Sequence, residues 1–131
     1  MSQDTPNEDW VLKYFQDVDS RDVEKILSYY ATNAKFRFGN QDAAIGIGAI
    51  EDVLRGFFDQ IDQIQHKPRG IWLGELNAVL EAEVRFQVGA AATTVPAVSI
   101  MRMDAGGKVA DFRFVMDAAP VFELISARPP Q

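Results

Sequence analysis

The apolar residues of the first half of the chain repeat at helical spacing and predict three helices. The first has the face Trp10, Val11, Tyr14, Phe15 and Val18 and ends at Asp19-Ser20. Ser20 can cap a second, short helix with the apolar side Val23, Ile26, Leu27 and Tyr30. Gly46 and Gly48 lead into a third with the stripe Ile50, Val53, Leu54, Phe57, Phe58 and Ile61.

The second half alternates apolar and polar residues, which predicts strands at 66–73, 78–88, 93–103 and 108–117. A short strand is also predicted at 35–38, ended by Gly39-Asn40. The sides that should face the helices are Leu80, Ala82, Val84, Phe86 and Val88 in the long strand, and Ala110, Phe112, Phe114 and Met116 in the last. Short turns make consecutive strands of this half antiparallel neighbours.

Three helices followed by a meander predict an α+β fold, with the helices packed on one face of a curved, mostly antiparallel sheet. The chain of 131 residues suits a single domain. We assign this domain to residues 8–125 and expect flexible ends at 1–7 and 126–131.

The composition narrows the class of protein. A hydrophobic fraction of 47% and a charged fraction of 24% are globular proportions and argue against a disordered chain. With no cysteine and one histidine, disulfides, thiolate metal sites and histidine-rich metal sites are excluded, and no cofactor is expected.

The net charge of −6 and the lack of a basic stripe make nucleic acid an unexpected partner. An anionic membrane surface is unexpected for the same reason, and no apolar run approaches the roughly 20 residues of a membrane span. The first residues have neither a basic nor an apolar stretch of the kind found in a secretory signal. We therefore expect a cytoplasmic protein.

Five segments carry a resemblance to a known group of proteins: Tyr14-Phe15 with Asp22, residues 29–34, Gly48-Ala49-Ile50, Gly107-Lys108-Val109 and residues 112–117. With the predicted layout, they resemble the nuclear-transport-factor-2-like (NTF2-like) superfamily, in particular its SnoaL-like and ketosteroid-isomerase-like proteins. The resemblance covers about residues 8–123. It implies a cone-shaped, cystatin-like fold in which a strongly bent sheet wraps a long helix and leaves a pocket at the open end.

The ketosteroid isomerases offer the sharpest comparison of residues. Their reaction uses a carboxylate base and two hydrogen-bond donors, a tyrosine and a neutral carboxylic acid. The resemblance places the tyrosine at Tyr14, the base at Phe38 and the second donor at Ser99. Since a phenylalanine takes no proton and a general base is typically worth about 10²–10⁴-fold, ketosteroid isomerase activity is not expected.

Two other members of the superfamily match less completely. Aligned with limonene epoxide hydrolases, Glu83 and Arg85 fall near a catalytic arginine and aspartate, whereas Phe114 falls on the second aspartate. The alternation points Glu83 and Arg85 outward. Scytalone dehydratases use tyrosines, a histidine and an aspartate, of which Tyr14, Tyr30 and His66 could supply a part.

Each candidate also has an ordinary structural role open to it. Tyr14 and Ser99 either face a ligand or satisfy their hydroxyls locally. His66, the one side chain that ordinarily titrates near neutral pH, either acts as an acid or base at the pocket mouth or caps the junction of helix and strand. Trp72 is core or pocket wall, and Asp117 is taken to hold the turn before Pro120.

We therefore predict a pocket for a small hydrophobic metabolite, with Tyr14, Ser99 and His66 as candidate catalytic groups. The predicted lining is Tyr30, Phe38, Phe58, Trp72, Val84, Phe86, Met101, Phe112, Phe114 and Met116. The protein is then a cofactor-independent isomerase, cyclase, dehydratase or hydrolase. The alternatives are a non-catalytic binding protein, or a scaffold whose pocket is filled by its own phenylalanines and is smaller than about 300 Å³.

A homodimer is expected under all of these hypotheses. The outer face of the sheet mixes apolar and charged residues, as interfaces do, at Val98, Ile100, Arg102, Arg113 and Val115. Proteins of the family that the chain resembles commonly pair through this face.

Overall fold

The computed structural model describes residues 6–128. Its elements in chain order are α1 (Glu8–Asp19), α2 (Val23–Leu27), β1 (Tyr30–Phe38), β2 (Ala44–Ile45), α3 (Ile47–Gln60), β3 (Gln63–Leu73), β4 (Asn77–Val88), β5 (Ala91–Met103), β6 (Val109–Met116) and α4 (Ala119–Ser126).

The strands form one sheet in the order β2-β1-β6-β5-β4-β3. All neighbours are antiparallel except β1 and β6, which run parallel with Phe36 opposite Phe112 and Phe38 opposite Phe114. The predicted α+β class, with helices packed on a curved, mostly antiparallel sheet, is therefore confirmed.

The hydrophobic core lies between the helices and the inner face of the sheet. The predicted inward residues of β4, from Leu80 to Val88 in alternation, are all buried, and so are Phe112 and Phe114 of β6. Alternation thus identified the inner face of both strands. Among the described residues no helix is both long and apolar enough to cross a membrane.

The boundary between the first two helices differs from the prediction. The Ser20 hydroxyl donates to the carbonyl oxygen of Asp17 at 2.6 Å and closes α1 instead of capping α2. Asp22 takes the capping position, where its Oδ1 accepts from the Lys25 N–H at 3.2 Å. Tyr30 belongs to β1 and not to the second helix.

Two elements and one extension were not predicted: β2, α4 and the first half of β1. Residues 30–34 join the strand because β1 pairs with β6 from the far end of the chain, and α4 begins where the Asp117 carboxylate accepts from the Ala119 N–H at 3.1 Å. Of the predicted flexible ends, residues 1–5 and 129–131 lie outside the described residues. Within them, Asn7 caps α1 and Arg128 pairs with Asp62.

Candidate functional site

A cavity of about 50 Å³ lies inside the cone, between the helices and the sheet. We call it the inner cavity. Its lining is Tyr14, Phe15, Val18, Ile26, Phe36, Phe38, Val53, Leu54, Phe57, Phe58, Ile64, His66, Ser99, Phe112 and Phe114. Since one water molecule needs roughly 10–15 Å³ of such space and ligand pockets measure about 300–1,000 Å³, the cavity as it stands holds a few waters but no metabolite.

The three candidate catalytic residues, Tyr14, His66 and Ser99, meet on the wall of this cavity. They come from α1, β3 and β5, so their meeting depends on the tertiary fold and not on proximity in the chain. Four of the predicted lining residues join them: Phe38, Phe58, Phe112 and Phe114.

The other predicted lining residues do not contact the inner cavity, which corrects that part of the prediction. Tyr30, Val84, Phe86 and Met101 are buried in the surrounding core, and Met116 is half-buried at the end of β6. Packed phenylalanine rings confine the empty space to the region around the three polar residues.

Trp72 lies on the outer face of the sheet and is 58% exposed, so it is not a wall of the cavity. A β-bulge between Pro68 and Gly70 shifts the register of β3 against β4 and reverses the alternation beyond it. The indole folds over Gly70, where a Cβ atom would come within 2.7 Å of the ring. The prediction was wrong because it assumed a regular strand from His66 onward.

His66 is held from two sides by one carboxylate. Its ring Nδ1 lies 2.6 Å from Oδ1 of Asp19, and its backbone N–H donates to Oδ2 of the same residue at 3.0 Å. The side chain is only 4% exposed, and its ring packs 4.8 Å from that of Phe15. Asp19 at the end of α1 therefore fixes both the position of β3 and the orientation of the imidazole.

Tyr14 and Tyr30 form a buried hydroxyl pair with their oxygens 2.7 Å apart. Burial raises the pKa of both phenols, so both are protonated at neutral pH. Because Tyr14 lines the inner cavity and Tyr30 does not, Tyr30 can donate to Tyr14 while the Tyr14 proton remains available to a molecule in the cavity.

Ser99 faces inward from β5 between Leu80 and Phe114, its neighbours across the strands, and is 2% exposed. Phe38, which the resemblance matches to the isomerase base, packs against Phe57 and Phe114, with ring centroids 5.0 and 5.4 Å from its own. If that match holds, hydrocarbon occupies the place at which the carboxylate of an isomerase would act.

A second, open depression of about 730 Å³ lies beside the end of α1 and the start of β3, and we call it the polar groove. It is lined by Asp19, Ser20, Arg21, Asp62, Gln63, Ile64, Gln65, His66, Lys67, Glu83, Arg85 and Thr94. Ile64 and His66 line both this groove and the inner cavity. Glu83 and Arg85 belong to the groove and not to the cavity, as their outward alternation indicated.

A third depression of about 310 Å³ lies against α3, and we call it the α3 groove. Its lining is Phe38, Gln41, Asp52, Val53, Gly56, Phe57, Gln60 and Phe122. Phe38, Val53 and Phe57 also line the inner cavity, so their side chains are the wall between the two spaces.

Sequence reasoning missed Asp19, which it treated only as the residue that ends a helix. One signal was available: a helix C-terminus favours cations, and α1 has no basic residue in its last turn but carries Asp17 and Asp19 there. Both carboxylates have partners outside the helix backbone, Asp17 in Tyr29 and Asp19 in His66. In residues 6–128 no three His, Asp or Glu side chains converge to hold a metal ion.

Comparison with solved structures shows the same fold in proteins of low sequence identity. An NTF2-like protein of unknown function from Burkholderia pseudomallei aligns with a TM-score of 0.82 at 18% identity, covering 97% of this chain and all of that one. A protein named as a SnoaL-like polyketide cyclase from a Jannaschia species aligns with a TM-score of 0.76 at 18% identity, over 91% and 90% of the two chains. SalBIII, an epoxide hydrolase/cyclase-like enzyme of pyran ring formation in salinomycin, aligns with a TM-score of 0.71 at 17% identity, over 82% and 87%.

A search of curated proteins finds no match to the chain. The family model described as the SnoaL-like domain matches residues 11–112, which include Tyr14, His66, Ser99 and most of the sheet. The chain therefore belongs to the SnoaL-like domain family within the NTF2-like fold.

Proposed function

We propose that this protein is a cofactor-independent enzyme that moves a proton on a small hydrophobic molecule, as an isomerase or cyclase does. The observation that carries the proposal is the Asp19–His66 pair on the wall of an apolar cavity. A histidine oriented by a carboxylate, with its other nitrogen directed to a substrate, is a recurring acid–base arrangement.

The partner of His66 determines which nitrogen does the chemistry. An ionised carboxylate only accepts hydrogen bonds, so Nδ1 carries the proton shared with Asp19. In the neutral form of the imidazole, Nε2 then keeps its lone pair. Nε2 can then take a proton from a carbon beside a carbonyl group. The nearby Asp19 carboxylate balances the charge of the imidazolium that forms.

Tyr14 supplies the second half of the reaction. As the C–H bond breaks, its electron pair moves to the carbonyl oxygen, and the Tyr14 hydroxyl donates a hydrogen bond to that oxygen. Ser99 is a further hydroxyl on the same wall. Return of the proton from His66 to another carbon completes an isomerisation. In a cyclisation, the enolate carbon instead attacks a second carbonyl and closes a ring, and His66 returns its proton to the alkoxide oxygen that forms as the C=O π bond breaks.

The substrate needs more room than the inner cavity offers. The wall of Phe38, Val53 and Phe57 separates about 50 Å³ inside from about 310 Å³ in the α3 groove. Rotation of Phe57, which is half-buried, would join the two spaces and bring the volume into the range of small-molecule sites. The names of the similar proteins, a polyketide cyclase and a cyclase-like enzyme, accord with ring closure begun by proton transfer.

The proposal can be tested without knowing the natural substrate. Cyclohexanone is a small apolar ketone whose α-protons exchange with solvent deuterium only after proton abstraction. We expect the protein to accelerate this exchange, measured by NMR in D₂O, and His66→Gln to reduce the acceleration by roughly 10²–10⁴-fold. The control is Arg37→Gln. Arg37 is exposed and lies on β1, which three strands separate from the strand of His66, so this variant should retain the wild-type rate.

Equal exchange with wild-type protein and with His66→Gln would contradict the assignment. The small volume of the inner cavity accords with the scaffold alternative. A second function, non-catalytic binding, is favoured by Phe38 at the position that the resemblance matches to the isomerase base. It predicts that cyclohexanone shifts the NMR signals of cavity residues while its α-protons exchange at the rate seen without protein.

A further inference from the structure

We propose that the polar groove binds the anionic end, a carboxylate or a phosphate, of the molecule on which His66 acts. This inference rests on the proposed function and adds the class of substrate: a small organic acid with an apolar body. It follows from the charges of the groove, from the backbone at Arg21 and from the two residues that the groove shares with the inner cavity.

The three carboxylates of the groove are already engaged. Asp19 is 2.6 Å from His66, Asp62 is 2.8 Å from Arg128, and Glu83 is 2.8 Å from Arg69. An arginine therefore neutralises Asp62 and Glu83, whereas Asp19 keeps its negative charge because its partner, the imidazole of His66, is neutral in the proposed mechanism.

The three cations of the groove are not engaged in this way. Within residues 6–128, Arg21, Lys67 and Arg85 have no carboxylate oxygen within 4.0 Å of their nitrogens. The guanidinium of Arg21 donates to the carbonyl oxygen of Ile61 at 2.9 Å, and that of Arg85 donates to the neutral Gln87 amide at 2.9 Å. Among the described lining residues, three cations without a carboxylate partner therefore stand against one uncompensated carboxylate, that of Asp19, so the local charge favours an anion although the whole chain is acidic.

The backbone at Arg21 adds a second observation. Its φ of +59° makes it the one non-glycine residue in the left-handed region among residues 6–128. Glycine adopts this conformation after a helix without strain, whereas an arginine in the same conformation lowers the stability of the fold. We take this cost as a sign that the arginine side chain has a role of its own. Its guanidinium lies at the polar groove beside Asp19, the residue that orients His66.

The boundary between the groove and the inner cavity limits the shape of the ligand. Ile64 and His66 line both spaces, so their side chains form the wall between them. An anionic group held by Arg21, Lys67 and Arg85 would place the apolar part of the same molecule against Ile64 and His66. The natural substrate is thus expected to be amphipathic, with its reacting carbon near the apolar end.

Calorimetric titration of the wild-type protein with phenylacetate and with its neutral isostere phenylacetamide tests the inference. We expect phenylacetate to bind about tenfold more tightly, because a charge-assisted hydrogen bond is stronger than a neutral one. Phenyl phosphate in a third titration tells the two anions apart. If either anion binds more tightly than the amide, the inference that the groove binds an anionic group is supported. The anion that binds more tightly identifies that group as a carboxylate or a phosphate.

Three variants locate the binding. Lys67→Gln and Arg85→Gln should each weaken phenylacetate binding by about fivefold, as expected for one solvent-accessible charge. Arg21→Asn should do the same, and asparagine tolerates the left-handed backbone, so the fold is retained. Arg37→Gln, which removes the same charge on β1, with three strands between β1 and β3, should leave binding unchanged. Equal affinity for phenylacetate and phenylacetamide, or equal weakening by Arg37→Gln, would overturn the inference.

The outcome is separable from that of the proposed function. Exchange of the cyclohexanone protons requires His66 but no anion, so it persists if the groove binds nothing. Conversely, selective binding of phenylacetate that depends on Arg21 and Lys67 would stand even if His66→Gln had no effect on exchange.

Discussion

The hydroxyl groups of Tyr14 and Tyr30 satisfy one another inside a cluster of aromatic rings. The Tyr14 ring stacks on Trp10 at 5.8 Å and meets Phe15 and Tyr29 edge-on at 4.9 and 5.0 Å. Both phenols are buried, so neither oxygen can turn to water if its partner is lost. The two residues should therefore be strongly coupled in their contribution to stability.

Tyr14→Phe should lower the free energy of unfolding by about 1–3 kcal/mol, because it leaves the Tyr30 hydroxyl buried without a partner. Tyr30→Phe should cost a similar amount. The double variant should cost clearly less than the sum, since no hydroxyl is then left behind. Urea unfolding of wild type, the two single variants and the double variant measures these free energies. If the two single losses add up to the loss of the double variant, the hydrogen bond between Tyr14 and Tyr30 is contradicted.

Asp17 and Tyr29 form a second, partly buried contact, with the Tyr29 hydroxyl donating to Oδ2 of Asp17 at 2.6 Å. This hydrogen bond is the main reason that the pKa of Asp17 is lowered, with a further contribution from Lys13. Because the folded-state pKa lies below the ordinary one, the carboxylate stabilises the fold above its ordinary pKa, and the contribution disappears as the pH falls through the folded-state value.

Tyr29→Phe should therefore destabilise the protein at about pH 7, and its difference from wild type should narrow as the pH falls below about 4, the ordinary pKa of an aspartate, and through the lowered pKa of Asp17. Urea unfolding at a series of pH values measures this. Ser28→Ala is a neighbouring control, because its exposed hydroxyl contacts only the Lys25 carbonyl oxygen. A pH-independent loss for Tyr29→Phe would show that the contact does not involve the ionised carboxylate.

The residues of the candidate site were only partly predictable from the sequence. Tyr14 and Ser99 were found from the family resemblance, and His66 because it is the only histidine. Asp19 was not, because its role depends on a contact with β3 that lies far along the chain. The volume of the cavity could not be predicted from the sequence either. Periodicity gives the direction of a side chain, but it does not give the volume left after eight aromatic rings have packed.

At the scale of elements, α3 supplies Phe57 to the wall between the inner cavity and the α3 groove. Phe57→Ala should remove most of the wall between the inner cavity and the α3 groove. We expect a loss of about 2–4 kcal/mol in unfolding free energy, since the site is half-buried. We also expect tighter binding of cyclohexanone, measured by NMR titration.

Phe122→Ala is the matched control for this prediction. Phe122 is 39% exposed and lines the α3 groove but not the inner cavity. It should cost less stability and leave cyclohexanone binding as in wild type. Equal effects of the two substitutions would mean that the ligand reaches the interior by another route.

The elements themselves were predicted well where the pattern is local and poorly where it is not. The helical stripes of apolar residues were enough to predict α1 and α3, and the long alternation of β4 was enough to predict the meander. The bulge in β3 could not be anticipated, because a single extra residue at Arg69 leaves no mark on composition while it reverses the direction of Trp72. The short β2 and the first half of β1 exist only through pairing with other strands.

At the scale of the whole molecule, the outer face of the sheet carries apolar residues that a single chain leaves in water. Val115 is 52% exposed, Ile100 is 38% exposed, and Arg102 and Arg113 lie beside them. The predicted homodimer through this face remains a prediction. Val115→Asp should convert it to a monomer by placing a charge in the buried centre of the interface.

Sedimentation equilibrium at micromolar concentration measures this change. Ile45→Asp is the control, because Ile45 is the most exposed of the large apolar residues, at 63%, but lies on β2 at the sheet edge. It should leave the mass unchanged. A monomeric wild-type protein at these concentrations would contradict the expectation of a dimer.

The parallel pair of β1 and β6 lies inside the sheet, although β1 is the first strand to leave the ribosome and β6 the last. Until β6 is synthesised, β1 lacks its main neighbour and stays an open edge next to an unfinished cone. Closure of such a long loop is slow compared with helix formation. This domain therefore completes its sheet only after β6 has been synthesised, and the interval before that is when it most needs protection from aggregation.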